Sequence, residues 1–81
     1  MKGEGYETVI ASPTEYEELV AEIYLDGLFI GLINKENGND SLELELAENN
    51  SDPSFVCRKV DLTGFLESLD IARRRLIGEM P

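Results

Sequence analysis

Eighty-one residues make a single domain, 1–81, too short to hold a deep substrate cleft, and a hydrophobic content of 42 % argues against disorder. Seventeen acids against seven bases leave a net charge of −10, so nucleic acid and anionic membrane are repelled and a basic protein is the natural partner. The acids crowd into residues 1–57, thirteen of them against Lys2 and Lys35, whereas residues 58–81 carry five bases and four acids.

The plainer reading of that charge is a surface tuned for solubility. The longest apolar run, Leu28 to Ile33, is far short of a membrane span, and no signal-peptide pattern opens the chain. Cys57 is the only cysteine and cannot close an internal disulfide, so a reducing cytoplasm is the expected compartment.

In chain order, Tyr6–Ile10 is strand-like. The next stretch, "SPTEYEELVAEIYLDGLFIGLI" (Ser12 to Ile33), admits two readings. Ser12, Pro13 and Glu15 fit a capping box, and Tyr16, Leu19, Val20, Ile23 and Tyr24 follow helical spacing up to Gly27. Against this, Asp26-Gly27 between two apolar runs is a strong hairpin signal. A two-residue turn there would pair Leu25 with Leu28, Tyr24 with Phe29, Ile23 with Ile30, Glu22 with Gly31, Ala21 with Leu32 and Val20 with Ile33. Each pair matches chemically, so the hairpin is the expectation, with at most one helical turn in "SPTEYEE".

"NKENGND" (Asn34 to Asp40) reads as a loop. "SLELEL" alternates, placing Leu42, Leu44 and Leu46 on one face and Glu43 and Glu45 on the other. "ENNSDP" (Glu48 to Pro53) is a second loop, and "SFVCRKV" (Ser54 to Val60) a further strand. Its register stays open: Phe55 and Cys57 inward, or Val56 and Val60 inward. From Leu62 onward, Leu62, Phe65, Leu66, Leu69, Ala72 and Leu76 trace one face of a helix. Asp61 stands at its N-cap, Arg73, Arg74 and Arg75 favour the negative end of the dipole, and Asp70–Arg74 is an i, i+4 pair. Gly78 can cap the C-terminus, and Pro81 cannot continue a helix.

The expected fold is therefore α+β: a small antiparallel β-meander of three to five strands with one long C-terminal helix packed on one face. Ala21, Ile23, Leu25, Leu28, Ile30 and Leu32 would line the helix-covered face with the three leucines of "LELEL". The other face would show Val20, Glu22, Tyr24, Phe29 and Ile33 beside Glu43 and Glu45. It is either an open interface or a surface covered by the segment around Tyr6–Ile10.

Catalytic constellations are absent. The chain has no histidine, which removes the usual general base, and Cys57 has no base to activate it, so it reads as a small buried hydrophobe. Glu43 and Glu45 stand side by side on a strand, not across a cleft as glycosidase carboxylates do. "NKENGND" fails the ligand pattern of a calcium loop, since Gly38 in sixth place would put Ile33 first and Lys35 third. "DGLFIG" lacks the strand-glycine-helix context of a phosphate loop. No enzyme activity, cofactor or metal is expected. Arg73–Arg75 fan around the helix and read as dipole capping.

At "ELVAEIYLDGLFIGLINKE" and "KVDLTGFLESLDIARRRL", the chain resembles small bacterial immunity-type proteins of polymorphic-toxin and contact-dependent-inhibition loci. The similar portions are roughly residues 18–36 and 59–76. The resemblance implies a compact α+β antitoxin that binds one toxin domain, with a basic nuclease suiting the acidity. No functional residue can be carried over from it. A phage-type DNA-mimic inhibitor, or a structural homodimer burying the aromatic sheet face, are the alternatives. For an inhibitor, Tyr24 and Phe29 would anchor the partner, with Glu22, Glu43 and Glu45 as the charged surround. Glu36, Asp40, Glu48 and Asp52 would steer from the loops.

Overall fold

A computed structural model of the protein describes residues 5–47 and 55–78. Four strands, β1 (Tyr6–Ala11), β2 (Val20–Leu25), β3 (Leu28–Asn34) and β4 (Glu43–Leu46), form an antiparallel sheet in sequence order, followed by one helix, α1 (Leu62–Ile77). This is the expected α+β architecture. The loop expected at Glu48–Pro53, with its steering acids Glu48 and Asp52, and the stop expected at Pro81 lie outside the described residues.

The hairpin reading of Ser12–Ile33 holds. Asp26 and Gly27 take φ of 50° and 85°, the two positive values a type I′ turn requires. Upstream, only one turn forms in the acidic segment, closed by the Tyr16 N–H donating to the Pro13 carbonyl at 3.2 Å. The register departs from expectation after two pairs. Leu25–Leu28 and Tyr24–Phe29 pair as anticipated, but Ile23 then stands opposite Gly31, Glu22 opposite Leu32, Ala21 opposite Ile33 and Val20 opposite Asn34. Ile30 is the extra residue of a β-bulge. Because side chains alternate along a strand, the insertion turns Ile33 inward and Leu32 outward, reversing both expectations. Ile33 accordingly lies in the buried cluster with Ala21, Ile23 and Ile30. Gly31 lets β4 approach closely, since a Cβ there would stand 2.5 Å from the Glu45 carbonyl oxygen.

Leu44 and Leu46 oppose Ile33 and Gly31 on the inner face, while Glu43 and Glu45 oppose Asn34 and Leu32 on the outer one. The inner position does not bury the two leucines, which remain 42 % and 64 % exposed. The expected strand Ser54–Val60 reduces, over its described part, to one parallel bridge of Val56 with Phe29. The Phe29 N–H donates to the Phe55 carbonyl at 3.0 Å, and the Cys57 N–H to the Phe29 carbonyl at 2.8 Å. Cys57 and Val60 pack against the core, Val56 is buried beside Phe29, and Phe55 projects into solvent, so neither simple alternation holds.

Helix α1 begins and ends where its caps require. Asp61 accepts from the Gly64 N–H at 2.7 Å, and Gly78 at φ 85° turns its own N–H back to the carbonyls of Arg74 and Arg75. Its buried stripe is rotated from the expected one: Gly64, Ser68, Ala72 and Leu76 face the sheet, Phe65 and Leu69 are half-buried, and Leu62 and Leu66 are 71 % and 55 % exposed. Small residues explain the rotation. They let the helix settle close to the sheet, and a Cβ on Gly64 would lie 2.9 Å from the Tyr6 ring and 2.5 Å from Asp61 Oδ2. The Ser68 hydroxyl donates to the Phe65 carbonyl at 2.8 Å, which satisfies the polar group in this stripe. The helix packs on β1 and β2. No helix among the described residues is long and apolar enough to cross a membrane.

The rotated stripe has a direct test in chemical denaturation. Leu76→Ala, at a side chain only 4 % exposed, should lose about 2–4 kcal/mol of stability. Leu62→Ala should change it by no more than about 0.5 kcal/mol. Equal losses would restore the leucine stripe read from periodicity.

Candidate functional site on the outer sheet face

The register sets the outer face in three rows. The first runs Glu7, Tyr24, Phe29 and Val56, the second Val9, Glu22, Leu32 and Glu45, and the third Ala11, Val20, Asn34 and Glu43. All five residues expected to bind a partner, Glu22, Tyr24, Phe29, Glu43 and Glu45, stand on this face, but in two different environments.

The third row is roofed. Val20 is fully buried and Asn34 is 3 % exposed although both point away from the helix. Their cover is the β1–β2 connection, residues 12–19, not the Tyr6–Ile10 segment, which forms the edge strand β1. The Tyr16 hydroxyl lies 2.8 Å from both oxygens of Glu45, so its side chain must cross the sheet to reach β4. Glu36 holds the same segment by its backbone, accepting from the N–H groups of Glu17 and Glu18 at 2.9 and 2.8 Å. Asn34 links the two anchors. Its Nδ2 donates to Glu45 at 2.6 Å and more distantly to Glu43 at 3.4 Å, while its Oδ1 accepts from the Glu36 N–H at 3.2 Å. Among the described residues no buried side-chain nitrogen or oxygen lacks a partner. Glu36 and Glu45, read from the sequence as steering and rim charges, are thus engaged in tying the chain to itself.

The first row is not roofed in this way: Glu7 is exposed and Tyr24 and Phe29 are half-buried, while Val56 at its end is buried. Tyr24 and Phe29 pack edge to face with ring centroids 5.6 Å apart at 65°, and the Tyr24 hydroxyl donates to Glu22 at 3.1 Å. Glu7 stands on the far side of Tyr24 and is exposed, and Val9 beside it is 37 % exposed. Glu22, Tyr24, Phe29 and Glu7 therefore make one contiguous acidic and aromatic patch. Glu43 is exposed at the other corner of the face, and Asp40 lies exposed in the β3–β4 connection.

Sequence reasoning missed Tyr16, Asn34 and Glu7 as parts of this surface. The signal for Asn34 was a lone amide ending an apolar run, intelligible only once the bulge turns it toward Glu43 and Glu45. Among the described residues no group of three acids, histidines or cysteines is placed to hold a metal ion. The Cys57 thiol donates to the Lys59 carbonyl at 3.2 Å.

The tyrosines report on these contacts. The hydrogen bond to Glu45, then burial, pushes the Tyr16 pKa up to about 12. Burial, then the bond to Asp61, pushes Tyr6 up to about 12. Burial and the Glu22 carboxylate also raise Tyr24. Each phenol keeps its proton more tightly in the folded state than in the unfolded chain. The stability this contributes is complete below the unfolded value of 10 and is lost as pH rises from 10 through about 12. Tyrosinate absorbance from Tyr6 and Tyr16 should therefore appear only as pH rises toward 12, together with alkaline unfolding. Tyr16→Phe should speed amide exchange at Glu17 and Glu18. Ionisation of Tyr6 or Tyr16 near 10 in the folded protein would contradict these contacts.

No protein-family model matches the chain, and no match was found among curated proteins or among solved structures.

Proposed function

We propose that this domain is a protein-binding module without catalytic activity, an immunity or antitoxin-type inhibitor working in the cytoplasm against a basic partner protein such as a nuclease toxin. The observation that carries the reading is the half-buried Tyr24–Phe29 pair, flanked by the carboxylates of Glu7 and Glu22 on a face whose other half the protein closes with its own chain. An aromatic pair that is half-desolvated already loses little on burial and offers a rigid anchor. Carboxylates at its margin attract lysine and arginine, and repel nucleic acid. The chain lacks histidine, and the sheet acids Glu7, Glu22, Glu43 and Glu45 stand on an open sheet and not across a cleft, which favours binding over chemistry.

The test is capture of partners from the native cell lysate, then kinetics with variants. Glu7→Lys with Glu43→Lys should slow association, and the effect should shrink as salt rises. Tyr24→Ala should speed dissociation, at a cost of about 1–3 kcal/mol. Light scattering should find a monomer. An acidic partner, a dimer joined through Tyr24 and Phe29, or binding indifferent to all three substitutions would refute the proposal.

A further inference from the structure

The two edges of the sheet are finished differently. On β1, the Asp26 N–H donates to the Gly5 carbonyl at 2.9 Å, so alternation along an antiparallel pair turns the Thr8 backbone away from β2. That outward carbonyl is taken by the Arg75 guanidinium of the helix at 3.1 Å. The same alternation applies to β4. The Ala47 N–H donates to the Ile30 carbonyl at 3.2 Å, which makes Glu45 and Glu43 the residues bonded to β3 and turns the backbones of Leu44 and Leu46 outward. Among the described residues nothing bonds to that outer edge, and all four residues of β4 are exposed.

The helix covers β1 and β2, and beside the inner face of β4 lie two largely apolar depressions, one lined by Leu46 and Phe65 with Arg58 at its margin, the other by Leu44 and Leu69 with Asp70 and Arg73 at its margin. Their volumes are about 360 and 340 Å³. An extended segment laid along β4 would bond the Leu44 and Leu46 backbone groups, to which no described residue bonds. Its alternate side chains would then fall on the side of these depressions, and the intervening ones would stand beside Glu43 and Glu45 on the outer face.

We infer that the outer edge of β4 is a strand-docking site for an extended segment of another protein in which apolar residues alternate with lysine or arginine. Charge selects this occupant. A second copy pairing β4 with β4 would place glutamates opposite glutamates, since antiparallel partners share a face, and like charges directly opposite are destabilising. Acidic segments fail for the same reason. This edge is separate from the Tyr24–Phe29 pair, and its use does not depend on the role proposed for that pair.

The probe is a synthetic peptide of alternating valine and lysine, titrated against the full chain and followed by amide resonances and hydrogen exchange. Binding should slow exchange at Leu44 and Leu46 and shift the methyl groups of Leu46 and Leu69, leaving Tyr24 and Phe29 unmoved. A valine–glutamate peptide should bind at least about tenfold more weakly. Leu44→Pro should abolish binding without costing the sheet a ladder bond, because the Leu44 N–H faces outward. Leu46→Lys, at a side chain already 64 % exposed, is the second variant and should also abolish it. Equal binding of the two peptides, shifts centred on Tyr24 and Phe29, retention of binding in Leu46→Lys, or exchange protection at Leu44 from self-association without peptide would overturn the assignment.

Discussion

Side chains alternate along a strand, so one inserted residue inverts the facing of everything beyond it, and in this sheet that residue is Ile30. Without the bulge, Ile33 would point away from the helix and Asn34 toward it, placing an amide in the apolar core and an isoleucine among carboxylates. An unpartnered amide in such a core costs on the order of 1–3 kcal/mol. With the bulge, Ile33 completes the cluster of Ala21, Ile23 and Ile30, and Asn34 meets Glu45 at 2.6 Å. Both faces of the sheet thus depend on a single irregularity next to Gly31, the residue that also admits β4.

Once Asn34 faces outward, it must be satisfied there. The protein does this by burying it under its own chain, with Glu36 and Glu45 as fixed points for residues 16–18. Carboxylates that accept several hydrogen bonds from backbone amides, an amide side chain and a phenol are well suited to pin a short polar connection that has little apolar area of its own. The consequence reaches the partner face. Roofing the third row leaves Tyr24 and Phe29, both half-buried, as the aromatic pair of the unroofed part of the face, and leaves the freely exposed acids of the face at its corners, Glu7 and Glu43.

Much of this was legible in the sequence, for identifiable reasons. Asp26-Gly27 specifies a turn whose two positive φ values few other pairs accept, and strict alternation in Leu42–Leu46 specifies two faces. Asp61 and Gly78 bound the helix through local hydrogen bonds that depend on nothing distant. The bulge left no such mark: in Leu28–Ile33 every side chain is apolar except at Gly31, so either register places hydrophobes on both faces. The helix was misread around its axis because Gly64 and Ser68 bury well without scoring as apolar, while Leu62 and Leu66 score as apolar and remain exposed. Tyr16 could not be placed from local pattern, since its partner Glu45 is 29 residues away.

Geometry accounts for what the fold leaves open. Four strands spaced roughly 4.8 Å apart span about 14 Å between the outermost axes, whereas one helix is only about 10 Å across. A single helix can cover about two strands closely, and the small stripe of Gly64, Ser68 and Ala72 fixes which two by seating α1 against β1 and β2. Phe55–Val60 extends the cover partway, through Cys57 and Val60. β4 therefore keeps its inner leucines but not their burial, and Leu46 at 64 % exposure is the end of that gradient. Arg75 cannot protect this side as it protects Thr8, because it projects from the helix toward β1. An uncovered apolar edge is an aggregation hazard unless something discourages identical strands from pairing there. Glu43 and Glu45 supply that discouragement while leaving the edge attractive to a strand of opposite charge.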